Sequence, residues 1–269
     1  MTAMTAMTAM TTAPIRILAL HSFRTNRTIL EKQLVLAGWH QLLLRDSSAS
    51  FTFLDAPHLA SGPIPDDVKS IPTDDPYREW WNANRDPETD AWHYDGCDAT
   101  LDTLEHEWDS NGPYDVILGF SQGAAVAALF SGVLASKGKT MPKCIICISG
   151  IRVRDPRFEA VYDAIRDLPS FHFYGLRDPI KVMTNRLVAS FAAPEVVQHE
   201  RGHVVPRLGA QEAEKLVGFL RRWCGGESRL ISCFHVVVGT DGKKWTRSPV
   251  RSFRESTWPY SFVYIYIST

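Results

Sequence analysis

The chain has 269 residues, 29 basic and 30 acidic, with 45% hydrophobic, 22% charged and 11% aromatic side chains. That apolar fraction excludes wholesale disorder, and a net charge of −1 argues against a nucleic-acid partner, which selects for a basic surplus. No apolar run reaches the roughly 18–20 residues of a membrane-spanning helix, so no membrane partner is expected either.

Residues 1–13 repeat Met-Thr-Ala and lack both the apolar segment and the cationic start of a secretory signal, so they read as a disordered leader. From Ile15 the pattern changes. Short continuous apolar runs read as buried parallel strands over Ile15–Leu20, Phe51–Leu54, Tyr114–Leu118, Cys144–Ile148, Phe171–Tyr174 and Val196–Gln198. Between most of them, helical spacing covers Thr28–Ala37, Ala99–Trp108, Gln122–Lys137, Lys181–Phe191 and Ala210–Trp223. Such alternation predicts an α/β domain over 14–224 with a mostly parallel, doubly wound sheet and right-handed crossovers. Residues 58–94 do not alternate. They are rich in proline and acids and carry Trp80, Trp81 and Trp92, aromatics that are costly to leave in water, so they read as a cap or excursion without clear elements. Residues 225–269 begin with Gly225-Gly226, carry few acids and end in an aromatic run; they are expected to be a poorly ordered extension.

Cys97, Cys144, Cys147, Cys224 and Cys233 are odd in number and scattered, which fits a reducing, cytoplasmic setting better than a disulfide framework. Cys144 and Cys147 mimic a C-x-x-C pair, but on a strand residues three apart face opposite ways. No metal or other cofactor is expected.

Gly119-Phe120-Ser121-Gln122-Gly123 matches G-x-S-x-G, in the context its chemistry requires: a strand enters and a helix leaves. A turn that sharp needs small residues beside the serine, and glycine stands on both sides. It would present Ser121 Oγ at the carboxyl edge of the sheet, beside the positive end of a helix. A serine hydroxyl needs a base, and the base an orienting carboxylate. Asp178 follows the strand Phe171–Tyr174, and His203 follows Val196–Gln198, so order, edge and loop placement select both. His199 competes with His203 but lies at the strand end itself. Asp155, Asp163 and Asp167 precede the Phe171 strand and suit caps or solvated charges. The backbone N–H groups of Gln122 and, after the first strand, of Phe23 are the expected oxyanion donors; His21 is expected to order that loop.

These residues resemble the FSH-type serine hydrolase family (ovarian-cancer-associated gene 2 protein-like) of the α/β-hydrolase superfamily. The resemblance spans roughly Pro14–Trp223. It rests on residues 20–26 (Leu-His-Ser-Phe-Arg-Thr-Asn), 55–58 (Asp-Ala-Pro-His), 112–115 (Gly-Pro-Tyr-Asp) leading to 119–125, Ser149-Gly150, 175–178 and 202–206 (Gly-His-Val-Val-Pro). It implies an α/β-hydrolase fold, a triad of Ser121, Asp178 and His203, and esterase or thioesterase activity in the cytoplasm, with the nucleus as a second location; some fungal relatives release acyl chains from polyketide synthases. Ser22 stands where the family usually has glycine, and a positive φ there would cost about 1 kcal/mol or more. Asp178 is also followed at once by Pro179.

The expected substrate is a small-molecule carboxylic ester, with an acyl thioester as the alternative, in a site lined by Trp80, Trp81 or Trp92. Nine acids against three bases between Asp66 and Asp95 make anionic substrates less attractive. Two rival readings are a catalytically silent binding protein that keeps the pocket, and an interaction protein that works through residues 225–269.

Overall fold

The computed structural model describes residues 13–225; the expected leader and C-terminal extension lie, but for one residue each, outside the described residues. In chain order, β1 (Ile15–Leu20) is followed by α1 (Arg27–Leu36), α2 (Trp39–Ser47) and β2 (Ala49–Leu54). Residues 58–95 form β3 (His58–Leu59), α3 (Asp66–Lys69), β4 (Arg78–Glu79), β5 (Asn82–Arg85) and β6 (Trp92–Asp95). Then come α4 (Cys97–Asn111), β7 (Val116–Phe120), α5 (Gln122–Ser136), β8 (Cys144–Ile148) and α6 (Glu159–Ala164), and last β9 (Ser170–Gly175), α7 (Lys181–Val188), β10 (Glu195–His199) and α8 (Ala210–Cys224).

Six strands form one sheet in the order β2-β1-β7-β8-β9-β10, and every ladder in it is parallel. Parallel strands need crossover helices, and these cover both faces. On one face Leu18, Ile117, Ile145 and Cys147 pack with α4–α7; on the other Ile17, Leu118, Cys144 and Ile146 pack with α1, α2 and α8. Cys144 and Cys147 therefore lie in opposite layers. The central strands β7 and β8 are buried at every residue, hence their unbroken apolar runs, whereas the edge strands β2 and β10 are only partly covered.

All six expected core strands are present, Ile15–Leu20 and Cys144–Ile148 with the expected bounds and the other four with shifted ends. β7 begins at Val116 and runs through Phe120, and the Ser121 N–H continues its pairing to the Ile148 carbonyl at 2.8 Å. α2 was not anticipated. It begins after Gly38 at φ 83°, a left-handed turn that glycine permits without strain, and only Trp39 and Leu43 of its side chains are buried. Trp39 anchors it to the far end of the chain by donating its indole N–H to the Pro206 carbonyl at 2.6 Å. The excursion does contain elements, contrary to the expectation: β3 pairs antiparallel with β4, and β5 with β6.

The chain lays down β1 and β2 toward one edge, then returns to place β7 beside β1 and builds outward to the other edge. The order reverses between β1 and β7. Loops at the carboxyl ends of two such strands diverge and leave a crevice between them.

Candidate active site

Ser121 sits at that crevice with φ 54° and ψ −111°, a left-handed conformation that costs a non-glycine residue about 1–2 kcal/mol. Its neighbours show why the bracket is glycine. A Cβ on Gly123 would lie 2.1 Å from the Leu20 carbonyl oxygen, and one on Gly119 would lie 2.3 Å from the Gly123 backbone. The turn is thus wedged against the end of β1, with Ser121 at its tip.

Asp178 and His203 stand on the loops after β9 and β10. These loops are laced together: Leu176 N–H donates to the His199 carbonyl at 2.7 Å, and Arg177 N–H to the Arg201 carbonyl at 3.2 Å. A Cβ on Gly175 would fall 2.0 Å from the Arg201 carbonyl oxygen, so glycine is what lets them touch. His203 Nδ1 lies 2.9 Å from Asp178 Oδ2, and His203 Nε2 lies 2.9 Å from Ser121 Oγ. Burial alone would raise the Asp178 pKa. Hydrogen bonds from Ser149 Oγ (2.7 Å), the Ile180 N–H (2.9 Å) and His203 more than offset it and hold the carboxyl below its ordinary value. An ionised Asp178 can only accept, which puts the ring proton on Nδ1 and leaves Nε2 free to accept from the serine hydroxyl. Pro179 is compatible with this loop, because the carboxylate takes its backbone donor from Ile180, one residue further on.

The sequence did not single out Ser149 for any role. It follows β8, the strand between those bearing Ser121 and Asp178, and is fully buried at φ 48°. Its position after a neighbouring strand on the same sheet edge was the available signal. The competing histidine His199 accepts from Arg201 N–H at 3.2 Å, and Asp155 accepts from Arg157 N–H at 3.0 Å as the cap of a 3₁₀ turn.

Across the crevice, the loop after β1 is organised by His21. Burial lowers its pKa to about 4, so it is neutral. Nε2 accepts from Ala56 N–H at 3.0 Å, which places the proton on Nδ1 for the Ser22 carbonyl at 2.8 Å. One ring therefore ties the loops after β1 and β2 together. Ser22 does not adopt positive φ; in this loop that conformation falls to Arg24, at φ 52°. The strain anticipated at Ser22 is absent. The Phe23 and Gln122 N–H groups take no part in the loop and cap hydrogen bonds among the described residues.

Two cavities meet at Ser121, Phe23 and His203. One, of about 560 Å³, is walled by Leu36, Val68, Ile71, Phe120 and Val205; the other, of about 480 Å³, by Trp81, Tyr94, Ile151, Val153 and Met183. Of the three tryptophans expected to line a substrate site, only Trp81 does so. Trp80 is fully buried, stacked 5.1 Å from His21 and donating its indole N–H to the His21 carbonyl at 2.8 Å. Trp92 packs against the core edge and carries the Arg154 guanidinium 3.5 Å above its ring. Gln122 has a side-chain role the sequence did not suggest: its Oε1 accepts from Trp80 N–H at 2.9 Å and its Nε2 donates to the Trp81 carbonyl at 2.8 Å. Among the described residues no carboxylate lines either cavity, whereas Arg24, Arg152 and Arg154 line one and Arg201 and Arg207 the other.

The family model for serine hydrolase (FSH1) matches residues 10–214. The chain belongs to the serine hydrolase (FSH1) family. This FSH1-family serine hydrolase is 29% identical over 218 residues to Esterase CG5412 of Drosophila melanogaster, covering 78% of this chain and 75% of that one. It is 31% identical over 214 residues to Esterase OVCA2 of Xenopus tropicalis, covering 74% and 89%. The crystal structure of esterase PE8 superposes with a TM-score of 0.50 at 19% identity, over 78% of this chain and 93% of that one, a likeness of fold alone. The fold is the α/β-hydrolase fold. Among the described residues no helix is long and apolar enough to cross a membrane.

Proposed function

We propose that this serine hydrolase cleaves carboxylic esters through an acyl-enzyme on Ser121. The observation that carries the reading is the pair of 2.9 Å contacts from one imidazole, His203, to Ser121 Oγ and to the Asp178 carboxylate. His203 takes the hydroxyl proton as Ser121 Oγ attacks the ester carbonyl, and returns it to the departing alcohol. In the second half it takes a proton from water, which attacks the acyl carbonyl, and hands that proton to Ser121 Oγ as the acyl–oxygen bond breaks and the acid leaves. Asp178 holds the tautomer and stabilises the imidazolium. The Phe23 and Gln122 N–H groups receive the oxyanion, a contribution of several kcal/mol to lowering the barrier. An acyl or alkyl chain suits the Leu36, Val68 and Ile71 wall of the larger cavity, whose lining also includes Arg201 and Arg207. The names of the two relatives above, both esterases, support the ester bond as the target. A cytoplasmic setting remains the reading that the scattered cysteines support.

The test is a panel of matched oxygen esters and thioesters of increasing acyl length, run on the wild type and on Ser121→Ala. Turnover of oxygen esters ahead of thioesters, abolished by the substitution, is the expected result. A preference for thioesters would move the reading to acyl thioesterase, and undiminished turnover by Ser121→Ala would overturn it.

A further inference from the structure

The cavity on the Trp81 side of Ser121 has three arginines in its wall, Arg24, Arg152 and Arg154, and no aspartate or glutamate. Two of the three are already neutralised. Arg24 pairs with Glu79 at 2.9 Å, and that carboxylate is also occupied by Ser61 and Asn82. Arg152 pairs with Glu159 at 2.6 Å and lies over the Tyr162 ring. Arg154 differs. Among the described residues it has no carboxylate partner, and its Nε is buried without a hydrogen-bond acceptor. The acid next to it in sequence, Asp155, is committed to Arg157 at 2.8 Å.

A partly buried cation without a counter-charge is costly, and the protein holds this one in place. Its guanidinium lies 3.5 Å above the Trp92 ring, an arrangement that stabilises the charge without hydrogen-bonding it. Its backbone is pinned as well: Arg154 N–H donates to the Tyr94 hydroxyl at 2.9 Å, and Val153 N–H to the Tyr162 hydroxyl at 2.8 Å. A planar donor fork, fixed in orientation and lining a cavity that also opens on Ser121, matches the geometry of a carboxylate.

We infer that Arg154 is a specificity-determining residue that receives a carboxylate carried by the substrate, so that the preferred esters are anionic at one end and apolar at the other. The apolar end takes the Leu36 and Ile71 wall of the other cavity, where the two lining arginines, Arg201 and Arg207, are exposed to solvent, and the anionic end the cavity beside Trp81, where Arg154 is half-buried. This inference rests on the reading of Ser121 as the acylated nucleophile and extends it to the substrate class.

The experiment compares kcat/KM for neutral esters and for esters of matched length bearing a terminal carboxylate, placed either on the acyl part (hemi-esters of short straight-chain diacids) or on the alcohol part. It uses the full chain, as wild type, Arg154→Met and Arg154→Lys. In the wild type the carboxylate-bearing ester of one arm is favoured roughly tenfold or more over its neutral match. That ratio falls to near one in Arg154→Met, recovers in part in Arg154→Lys, and in the wild type shrinks as salt is added. A wild-type ratio near one in both arms, a ratio that survives Arg154→Met, or one insensitive to salt overturns the inference. The salt series needs no variant, so it stands even if Arg154→Met does not fold. Failure of the underlying reading looks different: neutral esters would not be hydrolysed either, or Ser121→Ala would hydrolyse them as well as the wild type.

Discussion

Ser121, Asp178 and His203 stand on loops that leave strands sealed in a parallel sheet, while residues 58–95 reach the same cleft through two pairs of very short antiparallel strands. The first region is positioned by backbone crowding and apolar burial. Gly119, Gly123 and Gly175 are each wedged against a carbonyl or a turn, and β7 and β8 are buried at every residue. The second is positioned by individual polar bonds: Glu79 accepting from Arg24, Ser61 and Asn82, Thr100 donating to the Trp80 carbonyl, and Gln122 gripping Trp80 and Trp81. A site assembled this way holds Ser121, Asp178 and His203 on loops at the ends of sealed strands and leaves the facing wall to side-chain bonds that can be exchanged singly.

That contrast can be tested from both sides. The largest effect is expected at Asp178, on the sheet side. Asp178→Asn keeps the shape but cannot hold Nδ1 protonated in the same way, so kcat should fall about 10³–10⁴-fold with little change in thermal unfolding. A loss of fold with no separate loss of kcat would mean that Asp178 is structural. On the excursion side Gln122→Ala removes two buried hydrogen bonds, leaving the Trp80 N–H and Trp81 carbonyl unpaired. A loss of about 2–4 kcal/mol is expected, together with faster proteolysis confined to residues 58–95. Protease cutting spread evenly over the domain would erase the distinction between the regions.

A pH dependence sharpens the sheet side. His172 on β9 is buried with no partner for either ring nitrogen, and burial lowers its pKa from 6.5 to about 3. The unfolded chain binds this proton below about pH 6.5 while the folded one does not until about pH 3, so stability falls as pH drops through that window, by up to about 1.4 kcal/mol per pH unit. His21, lowered to about 4, acts in the same direction over a narrower range. Thermal melts between pH 7 and 4 should show a shallower acid decline in His172→Phe than in the wild type. Parallel declines would place the acid sensitivity elsewhere.

The sequence was most legible where one physical rule acts alone. Continuous apolar runs marked the core strands, most clearly the central β7 and β8, which are buried at every residue, and the glycines of the elbow marked a turn that excludes any Cβ. It was least legible where partners distant in sequence decide. Two-residue strands such as β3 and β4 are too short for any periodicity. Trp80 and Trp81 are adjacent and chemically identical, yet one is sealed over His21, to whose carbonyl its indole N–H donates across 59 positions of sequence, and the other lines a cavity. The acids of the excursion suggested a negative site; among the described residues none of them lines either cavity, and the charged side chains that do are arginines from the loops after β1, β8 and β10. Ser149 was visible as a residue after a strand, but its role depends on Asp178 turning toward it.

The central claim is that Ser121 Oγ is the nucleophile made reactive by His203. Incubation of the folded wild type with a fluorophosphonate, followed by peptide mapping of the adduct, tests it most directly. The account predicts one modified residue, Ser121, with labelling lost in both Ser121→Ala and His203→Ala. An unmodified folded protein, or an adduct mapped to another residue and undiminished in Ser121→Ala, would contradict it.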